Sequence, residues 1–123
     1  MKIIVVDDEP VIADTLVDIL NGEGCKAVAV SDGASALKWA PMMQPDVVIS
    51  DVIMPGMNGV DTAKAIMGLF PKCRIILFSG QTASIDLLEK ARAEGYQFEV
   101  LAKPVNPGLL LSKLGLPKSA VSG

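Results

Sequence analysis

Each of four groups of polar residues stands just after a short apolar run: the acids Asp7, Asp8 and Glu9, then Asp51, then Ser79 with Gly80, then Lys103 with Pro104. Acids gathered at one place repel one another and raise each other's pKa unless something positive sits among them. A hard divalent cation with oxygen ligands meets that need, and Mg²⁺ suits a few carboxylates, waters and a phosphate. A carboxylate held beside a metal can act as a nucleophile, which is the reading of Asp51. Lysine at the end of a buried strand is costly without a partner, and the following proline keeps Lys103 extended and aims its ammonium at the acids. Ser79 offers a hydroxyl donor, and Gly80 leaves room for an arriving group. Each feature also has a plainer reading: Asp7 and Asp8 as helix-start acids, Asp51 as a loop cap, Lys103 as a surface lysine, Ser79 and Gly80 as turn residues. The chain has no histidine, so Ser-His-Asp and Cys-His catalysis and the common zinc sites are excluded.

Positioning such groups requires a scaffold, and the sequence supplies one. Branched apolar runs recur at Ile3 to Val6, Ala27 to Val30, Val47 to Ile49, Ile75 to Phe78 and Phe98 to Leu101. They are continuous rather than alternating, as in strands covered on both faces. Between them lie segments of helical spacing, carried by Leu16, Ile19 and Leu20, by Ala36, Leu37 and Trp39, by Val60, Ala63 and Ile66, and by Ile85, Leu88 and Ala91. Gly22, Gly24, Pro41, Pro71 and Gly95 are expected to end these helices. Asn106 with Pro107 starts a last helix of about two turns, before Gly115 and Pro117. Short connections between parallel strands give a doubly wound α/β fold with right-handed crossovers. In such a sheet, ligands bind beyond the carboxyl ends of the strands, where all four polar groups fall.

The 123 residues are half hydrophobic and one fifth charged, with a mean hydropathy of +0.45. That is the profile of one compact domain, expected over residues 1–116, followed by a short polar tail at 117–123. A net charge of -3 with scattered Lys and Arg argues against direct nucleic-acid binding. No apolar stretch approaches the roughly 20 residues that span a bilayer, so the expected location is the cytoplasm. Cys25 and Cys73 are too few and too distant in sequence for a disulfide framework or a metal site, and read as core-edge residues.

Together the residues Val6-Asp7-Asp8-Glu9, the run Asp51-Val52-Ile53-Met54-Pro55-Gly56-Met57-Asn58-Gly59, Ser79-Gly80 and Lys103-Pro104 resemble the receiver domains of bacterial two-component response regulators. The pattern is similar to that of the single-domain chemotaxis receivers, and the likeness runs from Lys2 to about Leu114. The resemblance implies a flavodoxin-like five-stranded sheet in the order 2-1-3-4-5. That order puts Cys25 and Cys73 three strand spacings apart, roughly 14 Å, beyond disulfide reach. It further implies that Asp51 accepts a phosphoryl group from a phosphohistidine on a sensor kinase or histidine phosphotransfer protein. Mg²⁺ would be held by Asp8, Asp51 and the backbone carbonyl of Ile53, with Asp7 joining through water, while Ser79 and Lys103 contact the phosphoryl oxygens. The implied protein is a signalling phosphoacceptor rather than an enzyme, acting on an effector protein through a changed surface, as a monomer or weak homodimer.

The sequence departs from the family at three residues before Lys103, where an aromatic ring is usual and Val100 stands. Phe98 lies about 7 Å further back along a strand, and a bulge between Gly95 and Lys103 is expected to displace it. Ile53 and Gln81 flank the line of water attack on an acyl phosphate, and apolar Ile53 implies slow self-dephosphorylation. Three other readings compete. A flavin carrier would place three acids against a phosphate, and a haloacid-dehalogenase-type hydrolase would need a D-x-D motif and a cap domain. A receiver-like module that binds protein without phosphorylation keeps the fold and drops the chemistry.

Overall fold

The computed structural model describes residues 1–80 and 82–116; Gln81 and the tail at 117–123 lie outside the described residues. Five strands, β1 (Lys2–Val6), β2 (Lys26–Val30), β3 (Val47–Asp51), β4 (Arg74–Ser79) and β5 (Glu99–Ala102), alternate with five helices. The helices are α1 (Pro10–Gly22), α2 (Gly33–Met43), α3 (Gly59–Leu69), α4 (Thr82–Ala93) and α5 (Pro107–Lys113). All neighbouring strands are parallel, in the order β2-β1-β3-β4-β5. This is the doubly wound sheet expected from the sequence.

Continuous apolar strands make sense because both faces are covered. Ile3, Val5, Val47, Ile49, Ile76 and Phe78 face one core, closed by Leu16 and Leu20 of α1 and Leu110 and Leu111 of α5. Their chain neighbours Ile4, Val6, Val48, Ile75 and Leu77 face the other core, closed by Ala36 of α2, Ile66 of α3 and Ala91 of α4. Cys25 belongs to the first core and Cys73 to the second, and both thiols are free and buried. The sheet itself keeps them apart. Among the described residues no helix is long and apolar enough to cross a membrane.

Helices α2, α3 and α5 start on side-chain caps. Asp32 accepts the Ser35 N–H at 2.7 Å, Asn58 accepts the Asp61 N–H at 2.8 Å, and Asn106 accepts the Leu109 N–H at 3.1 Å.

Two expectations are corrected. Pro41 does not end α2 but lies inside it. Buried Ala36 and Ala40 hold that helix on the sheet, and a proline in the last turn removes only one ladder bond. The helix stops at Gln44, whose φ of 52° is left-handed and whose N–H bonds the Ala40 carbonyl at 2.7 Å. Likewise β5 starts at Glu99, not Phe98, and pairs residue for residue with β4 from Ile76–Glu99 to Ser79–Ala102. With no extra residue in that ladder there is no bulge within the strand; Phe98 simply precedes it.

Candidate functional site

The parallel register brings the polar groups to one rim. Asp51 is the last residue of β3 and lies opposite Phe78 of β4, and Ser79, one step further, pairs with Ala102 of β5. Asp7 follows β1, and its N–H bonds the Val30 carbonyl at 3.1 Å, extending the ladder beyond the strand. Lys103 follows β5, and its N–H bonds the Ser79 carbonyl at 3.1 Å. The Lys103–Pro104 peptide is cis.

At the rim, Asp7, Asp8 and Asp51 each present a carboxylate oxygen within 4.8 Å of the others. Asp7 and Asp51 are buried, while Asp8 is exposed. Lys103 Nζ donates to Asp51 Oδ2 at 2.5 Å. Asp7 Oδ1 accepts the Glu9 N–H at 2.9 Å, whereas its Oδ2 is buried without a partner among the described residues. Burial pushes the Asp7 carboxyl up, and the nearby charges of Asp51 and Asp8 add to that, against the Glu9 hydrogen bond and Lys103. Burial pulls the Lys103 ammonium down, but the hydrogen bond and charge of Asp51, with Asp7 and Glu9, outweigh it and leave it raised. The site thus holds more negative charge than Lys103 neutralises, with an orphaned oxygen among hard donors. Both features fit a small divalent cation such as Mg²⁺. Ile53, whose carbonyl was expected to join the ligands, sits half-buried two residues past Asp51 in the loop before α3.

Two glycines hold this rim in shape. A Cβ on Gly59 would lie 2.0 Å from the Asp51 carbonyl oxygen, so the loop after β3 can fold back on the backbone of Asp51 only with glycine there. A Cβ on Gly80 would meet Lys103 Cβ at 2.9 Å. Gly80 therefore makes room for the stem of Lys103.

The hydroxyl of Ser79 contacts α4. Its Oγ lies 2.5 Å from Oγ of Ser84, a fully buried residue of α4. Ser84 escaped the sequence reading, although its spacing to Leu88 and Ala91 places it on the inward stripe of α4, where a hydroxyl is informative. Val100 is 40% exposed. The rings of Tyr96 and Phe98 stack at 5.6 Å, with Lys64 Nζ 5.2 Å from the Tyr96 centroid. These aromatic residues, Val100 and Ser79 share the lining of a cavity of about 520 Å³ beside α4.

A twisted parallel sheet with an acidic rim and one inward lysine defines a receiver fold. Residues 3–115 match the family model described as "Response regulator receiver domain". The chain belongs to that family, the receivers of two-component systems. It is 29% identical to the chemotaxis protein CheY of Thermotoga maritima, over 92% of this chain and 93% of that one. It is 30% identical to the DNA-binding response regulator MtrA of Mycolicibacterium smegmatis, over 92% of this chain but 48% of the regulator. The chain thus spans about half the length of that relative. Among solved structures, the chemotaxis protein CheY4 of Vibrio cholerae superposes with a TM-score of 0.81 at 31% identity, covering 93% of this chain and 95% of that one. A response regulator receiver domain protein from Clostridium thermocellum gives 0.82 at 30%, covering 93% and 90%.

Proposed function

We propose that this receiver accepts a phosphoryl group on Asp51 from a phosphohistidine of a sensor kinase or histidine phosphotransfer protein, and that the modified rim changes how it binds an effector protein. The observation that carries this reading is the Lys103–Asp51 contact at 2.5 Å inside a cluster of three carboxylates. A carboxylate fixed at a strand end, with a cation already on one oxygen, is held ready for in-line attack.

Asp7, Asp8, Asp51 and the Ile53 carbonyl are the residues that would hold Mg²⁺. Bound there, Mg²⁺ would neutralise charge on the phosphoryl oxygens and on the carboxylates around them. An oxygen of Asp51 attacks phosphorus, and the P–N bond breaks with its electron pair going to the ring nitrogen, so that a phosphoimidazole protonated on its other nitrogen leaves as neutral imidazole. Lys103 stays beside Asp51 and offers its ammonium to a phosphoryl oxygen. Ser79 offers its hydroxyl to another. No histidine of this chain can be the donor, since it has none.

The donor must bring its imidazole to the rim. An apolar groove of about 600 Å³ opens there between α1 and the segment after β5, lined by Val11, Ile12, Leu16, Pro104 and Val105 with Lys103 at its edge. Val11 is 79% exposed, which suits a surface completed by a partner helix.

In this reading the domain is a signalling phosphoacceptor working in the cytoplasm. It catalyses only its own phosphorylation and slow dephosphorylation, and is no enzyme for other substrates. The test is to incubate the protein with Mg²⁺ and a small acyl phosphate or phosphoramidate and weigh it. The expected result is a gain of one phosphoryl group that disappears in Asp51→Asn. An unchanged mass in the wild type overturns the proposal and favours a module that binds protein without phosphorylation.

A further inference from the structure

Ser84 is 0% exposed in the first turn of α4, and its Oγ lies 2.5 Å from Oγ of Ser79. The backbone of Ser79 is held by β5: it pairs with Ala102 in the ladder, and its carbonyl accepts the Lys103 N–H at 3.1 Å. What remains free at Ser79 is rotation of its hydroxyl, and the 2.5 Å contact with Ser84 Oγ restricts that rotation.

Each hydroxyl has one proton and two lone pairs. If Ser79 donates to Ser84, its proton is committed to α4 and cannot reach a phosphoryl oxygen. If Ser84 donates, Ser79 keeps its proton for the rim. A phosphoryl group needs donors, so only the second arrangement lets the pair survive phosphorylation.

We infer that Ser84 is a positioning residue for Ser79: it donates its hydroxyl proton to Ser79 Oγ, so that Ser79 can donate its own to a phosphoryl oxygen on Asp51. The inference rests on Asp51 being the phosphoacceptor. The resulting chain of hydrogen bonds runs from α4 through Ser79 to the phosphoryl group, and each bond polarises the next. It also ties the first turn of α4 to the modified residue. That link matters in a chain whose Val100 is an exposed aliphatic side chain on the same cavity as Ser79: the signal passes through hydroxyls and a helix terminus without a ring at that position.

The experiment is a double-mutant cycle on the rate of phosphorylation by a small acyl phosphate with Mg²⁺, followed by mass, for wild type, Ser84→Ala, Ser79→Ala and the double variant. Ser84→Ala should react roughly 3- to 10-fold more slowly, the scale of one net hydrogen bond. Ser79→Ala should be at least as slow, and the double variant no slower than Ser79→Ala, because Ser84 acts through Ser79. Ser84→Cys, close in shape with a weak donor, should fall between wild type and Ser84→Ala. A merely structural Ser84 would slow both backgrounds by the same factor, and that result overturns the inference, as does a wild-type rate in Ser84→Ala. If the wild type gains no phosphoryl group at all, the Asp51 reading fails first and this one with it; a normal wild-type gain with an additive cycle sinks this one alone.

Discussion

Lys103 is the residue on which the rim's electrostatics turn. Its ammonium sits on Asp51 and also offsets the charge of Asp7, while Gly80 gives its stem a fixed path. A fixed positive charge in a partly buried site is worth far more to a developing anion than one in water, because it needs no reorganisation. Lys103→Met should therefore slow phosphorylation of Asp51 by roughly 100-fold, the usual effect of losing one preorganised donor. Mass spectrometry against time, with the far-ultraviolet dichroism unchanged, checks it; a rate within a factor of two or so of wild type would remove Lys103 from the chemistry. Arginine is a poor substitute at this point, since its planar fork does not match the place of a compact ammonium.

At the scale of elements, the edge strand β5 has only four residues and carries a charge cluster outside the acidic rim. Arg74 Nε and Nη2 each lie 2.5 Å from a Glu99 oxygen, Nη2 also bonds the Lys113 carbonyl at 2.7 Å, and Lys113 Nζ is 3.8 Å from Glu99 Oε1. The cluster joins β4, β5 and the end of α5. The Arg74 hydrogen bond holds the Glu99 carboxyl below its ordinary value, with burial opposing. A carboxylate whose pKa is depressed by folding contributes stability above its unfolded pKa, near pH 4.3, and loses it as pH falls through the folded value. Glu99→Gln should lower stability at pH 7 by about 0.5 kcal/mol, since both side chains are about a third exposed and solvent screens them. Urea midpoints should differ at pH 7 and converge only as the pH falls through the depressed folded value of Glu99; a gap that persists once Glu99 is protonated would mean that the effect is packing, not charge.

The same scale shows what the sequence could and could not disclose. Asp7, Asp51, Ser79 and Lys103 were legible because each follows a buried apolar run, and a parallel sheet sends every such end to one rim. The helix caps at Asp32, Asn58 and Asn106 follow from local chemistry. Pro41 misled because tertiary packing of Ala36 and Ala40 overrides a local breaker in a last turn. Phe98 misled because an apolar residue before a strand has the same composition as one inside it, and only the ladder, beginning at Glu99, separates them. The Ser84 contact and the closeness of the Lys103 stem to Gly80 depend on how α4 and Lys103 approach the end of β4, which no spacing along the chain specifies.

For the whole molecule, the acidic rim is a place where stability yields to function. Asp7 is 2% exposed, one of its oxygens is orphaned, and burial raises its pKa, so without a cation it is a strained charge in the fold. A ligand that binds only the folded state stabilises it in proportion to saturation, by about 2.7 kcal/mol at a hundred times its dissociation constant. Saturating Mg²⁺ should therefore raise the urea midpoint of the wild type relative to a chelator. Asp7→Asn removes the buried charge while its remaining oxygen can still accept the Glu9 N–H. In chelator the variant should be the more stable protein, by about 1 kcal/mol, the scale of relieving one uncompensated buried polar group. With Mg²⁺ the order should narrow or reverse, because the variant has lost a charge that draws the ion. The two urea curves in each condition decide the matter: a variant less stable than wild type in chelator would show that Asp7 is already compensated in the metal-free fold, and an equal Mg²⁺ response in both would take Asp7 out of the cation site.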